Sequence, residues 1–212
     1  MVMTCPYCTR LLVRVPKRKA LCPFCKNAIC VRMKQDFFPE SNLFKEEDAR
    51  AIDWLEKLEV TRTAFESHRN YLSVQFGKTA KVSDVVWRIM NDSVTRVADK
   101  NKLGLIYWQM SRFLYEEGKD HLKVAREARK LLLAHWQEAA NQGLIKWDRI
   151  QLQVITCGPA SCEECRKLDK ALFTFKQVLE VMPLPVRDCS HDPVKPGLPG
   201  WCRCTYGLVP ID

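Results

Sequence analysis

Two Cys-Pro-x-Cys motifs near the N-terminus constrain this chain more than any other feature. The first is Cys5-Pro6-Tyr7-Cys8, and the second, thirteen residues later, is Cys22-Pro23-Phe24-Cys25. Two cysteines separated by two residues can direct both thiolates of one tight turn at the same cation, and two such turns supply a tetrahedron of sulfurs, which suits Zn²⁺. The proline in each motif stiffens its turn by fixing φ. The sequence therefore predicts a zinc site whose ligands are Cys5, Cys8, Cys22 and Cys25.

The thirteen residues between the motifs predict a β-hairpin. Apolar residues alternate over residues 11–15, up to Pro16, which is typical of a strand. Lys17-Arg18-Lys19 would form the exposed turn, and residues 20–21 would return the chain to the second motif. Residues 29–33 could add a third strand.

With its paired cysteines and the expected hairpin, this segment resembles a zinc ribbon of the rubredoxin-like kind. The resemblance implies a small β fold built around one metal ion. Rubredoxins bind iron and usually place Gly directly after each cysteine pair, whereas Thr9 and Lys26 stand there in this chain. This departure favours zinc as the expected ion.

The composition sets the expected environment. Of the 212 residues, 47% are hydrophobic and 28% are charged, which is enough apolar material for a real core. No run of eighteen apolar residues occurs, and the first cysteine motif begins at Cys5, which leaves no room for a signal peptide. We therefore expect a cytoplasmic protein without a membrane span. Its eleven cysteines would then bind metal rather than form disulfides.

Positive charge is concentrated at the N-terminus. Residues 1–35 hold eight of the 34 basic residues and no Asp or Glu, while 25 acidic residues nearly balance the basic residues of the remainder. A basic ribbon with Tyr7 and Phe24 at its turns could bind phosphates and stack a base. A merely solvated surface is the alternative. The predicted nucleic-acid contacts are Arg10, Arg14, Lys17, Arg18, Lys19 and Lys26.

Cysteines divide the chain further. Five lie within residues 1–30, six lie within residues 157–204, and none lies between. We predict an α+β protein organised as a zinc ribbon (1–35), a linker (36–44), a helical domain (45–143) and a cysteine-rich zinc-binding tail (144–212).

The middle of the chain has helical periodicity. One apolar face runs from Lys45 to Phe65, and a second helix should follow a cap at Ser83. A third helix is expected over about 102–117 and a fourth after Asp120, each ended by a nearby glycine. The last two should form an antiparallel hairpin that could contact a protein partner. A basic stripe on the fourth helix would consist of Lys119, Lys123, Arg126 and Lys130. It is expected to be a solvated face, with phosphate binding as the alternative.

The tail predicts a second zinc site. Residues 147–155 alternate as a strand, Thr174 could cap a short helix, and residues 201–206 look extended. If the first and last of these segments pair, the C-terminal cysteines return to those that follow the first strand. The predicted ligands are Cys162, Cys165, Cys189 and Cys202, with Cys204 and His191 as alternatives for the last two places, which brings the expected total to two zinc ions.

These tail residues also resemble the C-terminal end of phage Mu-type head-morphogenesis proteins. The shared pattern is Cys162-x-x-Cys165, Leu168-Asp169, Phe173, a Pro-rich loop and Cys202-Arg203-Cys204. Lys170 stands where that family has Gly, and Pro199-Gly200-Trp201 replaces its His-Pro-Asn. The resemblance covers about fifty residues and implies a metal-binding tail, and a structural role in phage assembly is one function that it suggests.

A zinc enzyme is a further alternative. Glu163, Glu164 and His191 lie near the tail cysteines and could support hydrolysis, but neither half of the deaminase signature is present. No residue is assigned a catalytic role. The sequence favours a zinc-binding, non-catalytic nucleic-acid-binding or scaffold protein. The alternatives are a head-morphogenesis-like assembly protein and a zinc-dependent hydrolase.

Overall fold

The computed structural model describes residues 3–32, 37–38 and 41–211. Within these residues it contains seven α-helices and two three-stranded antiparallel sheets, which confirms the predicted α+β class. The chain forms two compact units, Met1–Asp92 and Ser93–Asp212. None of the helices in the described part of the chain is long and apolar enough to span a membrane.

The first unit begins with the cysteine motifs and a small sheet. Its strands are β1 (Ala20–Leu21), β2 (Ala28–Val31) and β3 (Leu43–Phe44), in the order β1-β2-β3. The third strand therefore comes from the segment predicted as a linker. Met33, the last residue of the predicted third strand, lies outside the described residues, as do residues 34–36 and 39–40 of the predicted ribbon and linker.

The predicted strand at residues 11–15 is wrong. Only Leu11 makes a ladder contact, an isolated bridge with Thr4. Leu12 is buried and its N–H donates to the Met3 carbonyl at 3.0 Å, whereas Val13 is fully exposed. The apolar alternation here does not mark a buried face, because Leu11 and Val13 are exposed and Leu12, between them, is buried.

Three helices complete the first unit: α1 (Glu46–Lys57), α2 (Arg62–Phe76) and α3 (Val82–Arg96), whose last residues extend into the second unit. The residues from Lys45 to Phe65, predicted to lie along the face of one helix, are divided between α1 and α2. Glu59 has a left-handed φ of 52°, and the Thr61 hydroxyl accepts the Ala64 N–H at 3.3 Å, which starts α2. The start of α3 precedes Ser83, so the cap predicted there is also wrong.

The second unit contains the predicted helical hairpin, formed by α4 (Lys100–Glu116) and α5 (Leu122–Asn141). Asp99 caps α4 by accepting the Lys102 N–H at 2.7 Å. Asp120, predicted as the cap of α5, accepts the Leu122 N–H at 3.0 Å. Gly118 and Gly143 follow the two helices with left-handed φ angles of 64° and 77°.

The tail sheet has the strand order β5-β4-β6, with β4 at Ile150–Ile155, β5 at Leu172–Phe173 and β6 at Thr205–Pro210. The predicted pairing of the first and last tail segments is confirmed, since Ile155 lies opposite Thr205. Helix α6 (Glu163–Arg166) follows β4, and α7 (Phe175–Val181) begins at the predicted Thr174 cap. This register brings the residues just after β4 close to those just before β6.

Candidate metal centres

The two cysteine motifs of the ribbon fold in the same way. In the first, the Thr9 N–H donates to the Cys5 carbonyl at 2.9 Å; in the second, seventeen positions later, the Lys26 N–H donates to the Cys22 carbonyl at 3.0 Å. Each turn is closed by a further backbone bond, from Cys5 to Arg10 and from Cys22 to Asn27. Equal spacing in the sequence thus produces two equivalent turns.

Both turns need a residue in the left-handed region directly after the second cysteine. Thr9 has φ 58° and Lys26 has φ 61°. These are the two positions where the rubredoxin-like pattern has Gly, the residue that adopts this conformation without a steric penalty. The backbone therefore adopts at both positions the conformation for which Gly is suited, although the residues are Thr and Lys.

The four ribbon sulfurs lie at the corners of a compact group. Cys5 Sγ is 3.8 Å from Cys25 Sγ, Cys8 Sγ is 3.9 Å from Cys22 Sγ, and all four lie within 4.8 Å of one another. A zinc ion with Zn–S bonds of about 2.3 Å has tetrahedral sulfur–sulfur edges of about 3.8 Å, whereas a disulfide bond is about 2.05 Å long. The group fits a metal ion, and the four cysteines are free thiols.

Backbone and side-chain donors surround these sulfurs. The Tyr7 N–H donates to Cys5 Sγ at 3.4 Å, and the Asn27 amide donates to Cys25 Sγ at 3.6 Å. Burial disfavours the thiolate of Cys22, but the N–H groups of Cys25 and Phe24 donate to it, and the net effect lowers the pKa of Cys22 to about 6. Such donors favour the deprotonated sulfur that a metal requires.

The ribbon is attached to α1 by polar contacts. The Tyr7 hydroxyl accepts the Glu46 N–H at 3.0 Å, so one of the two aromatic residues proposed for base stacking is engaged at the start of this helix. Lys19 pairs with the Glu46 carboxylate at 2.7 Å, and Arg32 makes a two-point contact with Asp53 at 2.6 and 2.7 Å. The Glu46 carboxylate raises the pKa of Lys19, and Lys19 in turn lowers that of Glu46.

The other basic residues predicted to contact nucleic acid are exposed. The guanidinium of Arg10 lies 5.3 Å from the centre of the half-exposed Phe24 ring. Within the described part of the chain, no ion pair is formed by Arg14, Lys17 or Arg18. Lys26 is exposed beside its cysteine turn.

The tail brings five cysteine sulfurs together. Cys162 and Cys165 each lie 3.8 Å from Cys189, and Cys165 lies 4.0 Å from Cys202. Two groups of three could hold a metal ion, and they share Cys165: the first also contains Cys162 and Cys189, and the second contains Cys202 and Cys204. All four predicted tail ligands belong to this cluster, and Cys204 joins them.

Cys202 and Cys204 both reach the cluster because residues 201–204 precede β6 and are not part of the strand. The Val186 N–H donates to Cys202 Sγ at 3.4 Å. Thiols of Cys189 and Cys204 donate to the Cys202 sulfur and lower its pKa, while these same contacts and, after them, burial raise the pKa values of Cys189 and Cys204. Burial opposes ionisation of Cys162, but the N–H groups of Cys165 and Ser190 lower its pKa to about 7.

The alternative ligand and the carboxylates predicted nearby lie elsewhere. His191 contacts Arg203 and lies 3.2 Å from the Asp192 carboxylate. Glu163 and Glu164 pair with Lys167 at 3.7 and 2.6 Å. Among the described residues, no His, Asp or Glu joins any of the candidate metal-holding groups. The cluster is a sulfur site.

Two buried residues with hydrogen bonds to the backbone just before β6 were not singled out as such from the sequence. Arg129 is 2% exposed and donates to the carbonyls of Cys202 and Cys204 at 2.8 and 2.9 Å. His121 is buried at the start of α5, with Nε2 3.3 Å from the Gly200 carbonyl. A signal for Arg129 exists, since a charged residue four positions after Ala125 interrupts the apolar face of α5. No comparable signal identifies His121.

Comparisons of this chain with family models, with curated proteins and with solved structures give no match.

Proposed function

We propose that this chain is a zinc-binding, non-catalytic protein with one structural zinc ion in the ribbon and one in the tail, and that the ribbon contacts nucleic acid. The observation that carries the metal proposal is the spacing of the four ribbon sulfurs, which matches the edges of a zinc–thiolate tetrahedron. A bound zinc ion would cross-link segments that share only a small apolar core. Among the described residues, the candidate ligands of both centres are cysteines alone.

In the tail, the proposed ligands of the zinc ion are Cys162, Cys165, Cys189 and Cys202. Cys204 is a fifth sulfur within the cluster, grouped with Cys165 and Cys202, and is the alternative ligand for the place of Cys189 or of Cys202. An all-sulfur environment favours soft or borderline metals such as zinc over magnesium or calcium. Three of the four proposed ligands are buried, which suits a structural rather than a catalytic ion.

The proposed nucleic-acid surface is the basic loop, defined as residues 14–19. Its Arg14, Lys17 and Arg18 side chains project into solvent, and the loop lines a groove of about 700 Å³. Phe24 is exposed elsewhere on the ribbon, where a base could stack on it. Cationic side chains on a loop that lies in sequence between the two cysteine turns would contact phosphates without sequence preference.

The test is nucleic-acid binding measured by fluorescence anisotropy over a range of salt concentrations. Each phosphate contact to a single strand contributes about −0.7 to the slope of log K against log salt. If the loop makes three contacts, Arg14→Ala/Lys17→Ala/Arg18→Ala should reduce the steepness of that slope by about 2 and weaken binding roughly tenfold or more at low salt. Duplex and single-stranded probes of equal length identify the preferred form.

The matched control removes the same number of charges from α5. Lys123, Arg126 and Lys130 are exposed on that helix, and changing all three to Ala lowers the net charge equally. Binding that depends on the loop is unaffected by this control. If both triple variants lost the same amount of affinity, the binding would be due to net charge and not to the loop. If the loop variant lost no affinity, the loop would be excluded as the contact.

A second candidate function, structural assembly of the head-morphogenesis kind, is favoured by one backbone angle. Lys170 stands where that family's pattern has Gly and has φ 60°, the left-handed conformation for which Gly is suited. Its N–H donates to the Val154 carbonyl at 3.0 Å, which fixes the turn between α6 and β5. The local backbone is therefore compatible with the turn that the pattern implies.

This candidate is tested by measuring assembly directly. Sedimentation velocity and electron microscopy of the purified zinc-loaded chain should show rings or larger oligomers if it assembles, and co-expressed capsid components should co-purify with it. A chain that stays monomeric at high concentration and retains no capsid component would exclude this function.

A further inference from the structure

Arg129 is a buried cation at the tail cysteine cluster. It lies on α5, and its side chain is 2% exposed. Burial lowers the pKa of its guanidinium, while the sulfurs of Cys202 and Cys204 act in the opposite direction. An arginine this deeply buried requires partners that offset its loss of hydration.

Its partners fix the guanidinium from several sides. One terminal nitrogen, Nη1, donates to the Ala125 carbonyl at 2.9 Å, one helical turn earlier. The other, Nη2, donates to the carbonyls of both Cys202 and Cys204. The Trp108 ring of α4 lies against the guanidinium, with its centre 4.4 Å from Cζ. Contacts from the helical hairpin and from the segment before β6 therefore orient the planar group together.

The two carbonyls that Arg129 binds belong to alternate residues, and both side chains of those residues enter the sulfur cluster. Fixing both carbonyls fixes the backbone from Cys202 to Cys204 before β6 begins at Thr205. The positive charge also lies beside a site whose thiolates would carry an excess of negative charge over one divalent ion.

We propose that Arg129 is a positioning residue of the tail metal centre, which holds Cys202 and Cys204 in place and offsets the charge of the thiolates. This inference rests on the proposed tail zinc site. Arg129 supplies no ligand itself. It acts through the backbone of the two cysteines, and removing it should loosen metal binding without removing a sulfur.

The test compares Arg129→Met and Arg129→Lys with the unchanged full-length chain. Methionine keeps much of the length of the side chain without charge or donors, and lysine keeps the charge but lacks the planar fork. Arg126→Met is the matched control, because Arg126 is exposed on the same helix. Zinc release to a chromophoric chelator is followed with time, and a Cys22→Ser chain identifies which phase belongs to the ribbon.

The expected result is a roughly 10- to 100-fold faster release of tail zinc from Arg129→Met, the range typical of residues that orient metal ligands. Arg129→Lys should lie between this variant and the unchanged chain, and Arg126→Met should match the unchanged chain. In the cobalt-substituted protein, the visible absorption bands of the tail ion should change in both Arg129 variants, because the sulfur geometry relaxes.

Each other outcome has a distinct meaning. Release rates and cobalt spectra equal to those of the unchanged chain in both Arg129 variants would overturn the role of Arg129 and leave the tail site intact. Absence of a tail ion from the unchanged chain, shown by a Cys165→Ser variant with undiminished zinc, would instead overturn the proposed site. If Arg129→Met does not fold, the lysine variant decides the question by the same measurements.

Discussion

At the scale of single residues, the most informative feature is that three residues other than glycine adopt the left-handed backbone conformation that favours glycine. Thr9 and Lys26 occupy it in the two ribbon turns, and Lys170 occupies it in the tail. In each case the backbone N–H makes a hydrogen bond that closes a turn near a candidate ligand. The turns therefore keep their shape at a local steric cost of about 1 kcal/mol each.

Replacing Lys26 with glycine should stabilise the zinc-loaded chain by about 0.5–1 kcal/mol, because glycine adopts the left-handed conformation without that cost. Lys26→Ala is the matched control, since it removes the same charge but keeps Cβ. Denaturant unfolding of the two variants under identical zinc concentrations measures the difference. A glycine variant no more stable than the alanine variant would show that the turn carries no such strain.

At the scale of secondary-structure elements, the sequence predicted best where periodicity and caps agreed. The α4–α5 hairpin, the Thr174 cap and the pairing of the two long tail strands follow from residues whose local preferences and burial point the same way. The capping box at Thr174 is complete, since the Gln177 N–H donates to its hydroxyl and the Gln177 side chain accepts its N–H.

The predicted secondary structure is wrong where the backbone conformation does not follow the apolar pattern of the sequence. Apolar residues continue at helical spacing across the α1–α2 junction, but the backbone of Glu59 has a left-handed φ and Thr61 caps the start of a new helix. Alternation over residues 11–15 predicted a strand, but only Leu11 makes a bridge there, with Thr4. The role of Arg129 could not be derived from α5 alone, because its two carbonyl partners lie more than seventy positions away.

Loss of the Thr174 cap should weaken α7 and the tail sheet that it packs against. Thr174→Ala is expected to lower the free energy of unfolding by about 1 kcal/mol, since it leaves a helix N–H without its side-chain acceptor. Thr174→Ser keeps the hydroxyl and should retain most of the stability. Equal stability of the alanine and serine variants in chemical denaturation would show that the cap contributes nothing.

At the scale of the whole molecule, each compact unit contains one cysteine centre. The ribbon centre lies in the first unit and joins two equivalent turns, while the tail centre lies in the second and joins α6, the loop before β6 and Cys189. The remaining cysteines, Cys30 and Cys157, belong to neither group within the described residues and provide internal controls. The two centres should therefore fill and empty separately.

Zinc content per chain, measured by elemental analysis of the purified full-length protein, tests the central claim most directly. The unchanged chain should hold two zinc ions. Cys22→Ser and Cys165→Ser should each hold one, because a missing thiolate disables its own centre only, while Cys30→Ser and Cys157→Ser should still hold two. A chain without zinc, or undiminished zinc in Cys22→Ser and Cys165→Ser, would contradict this account.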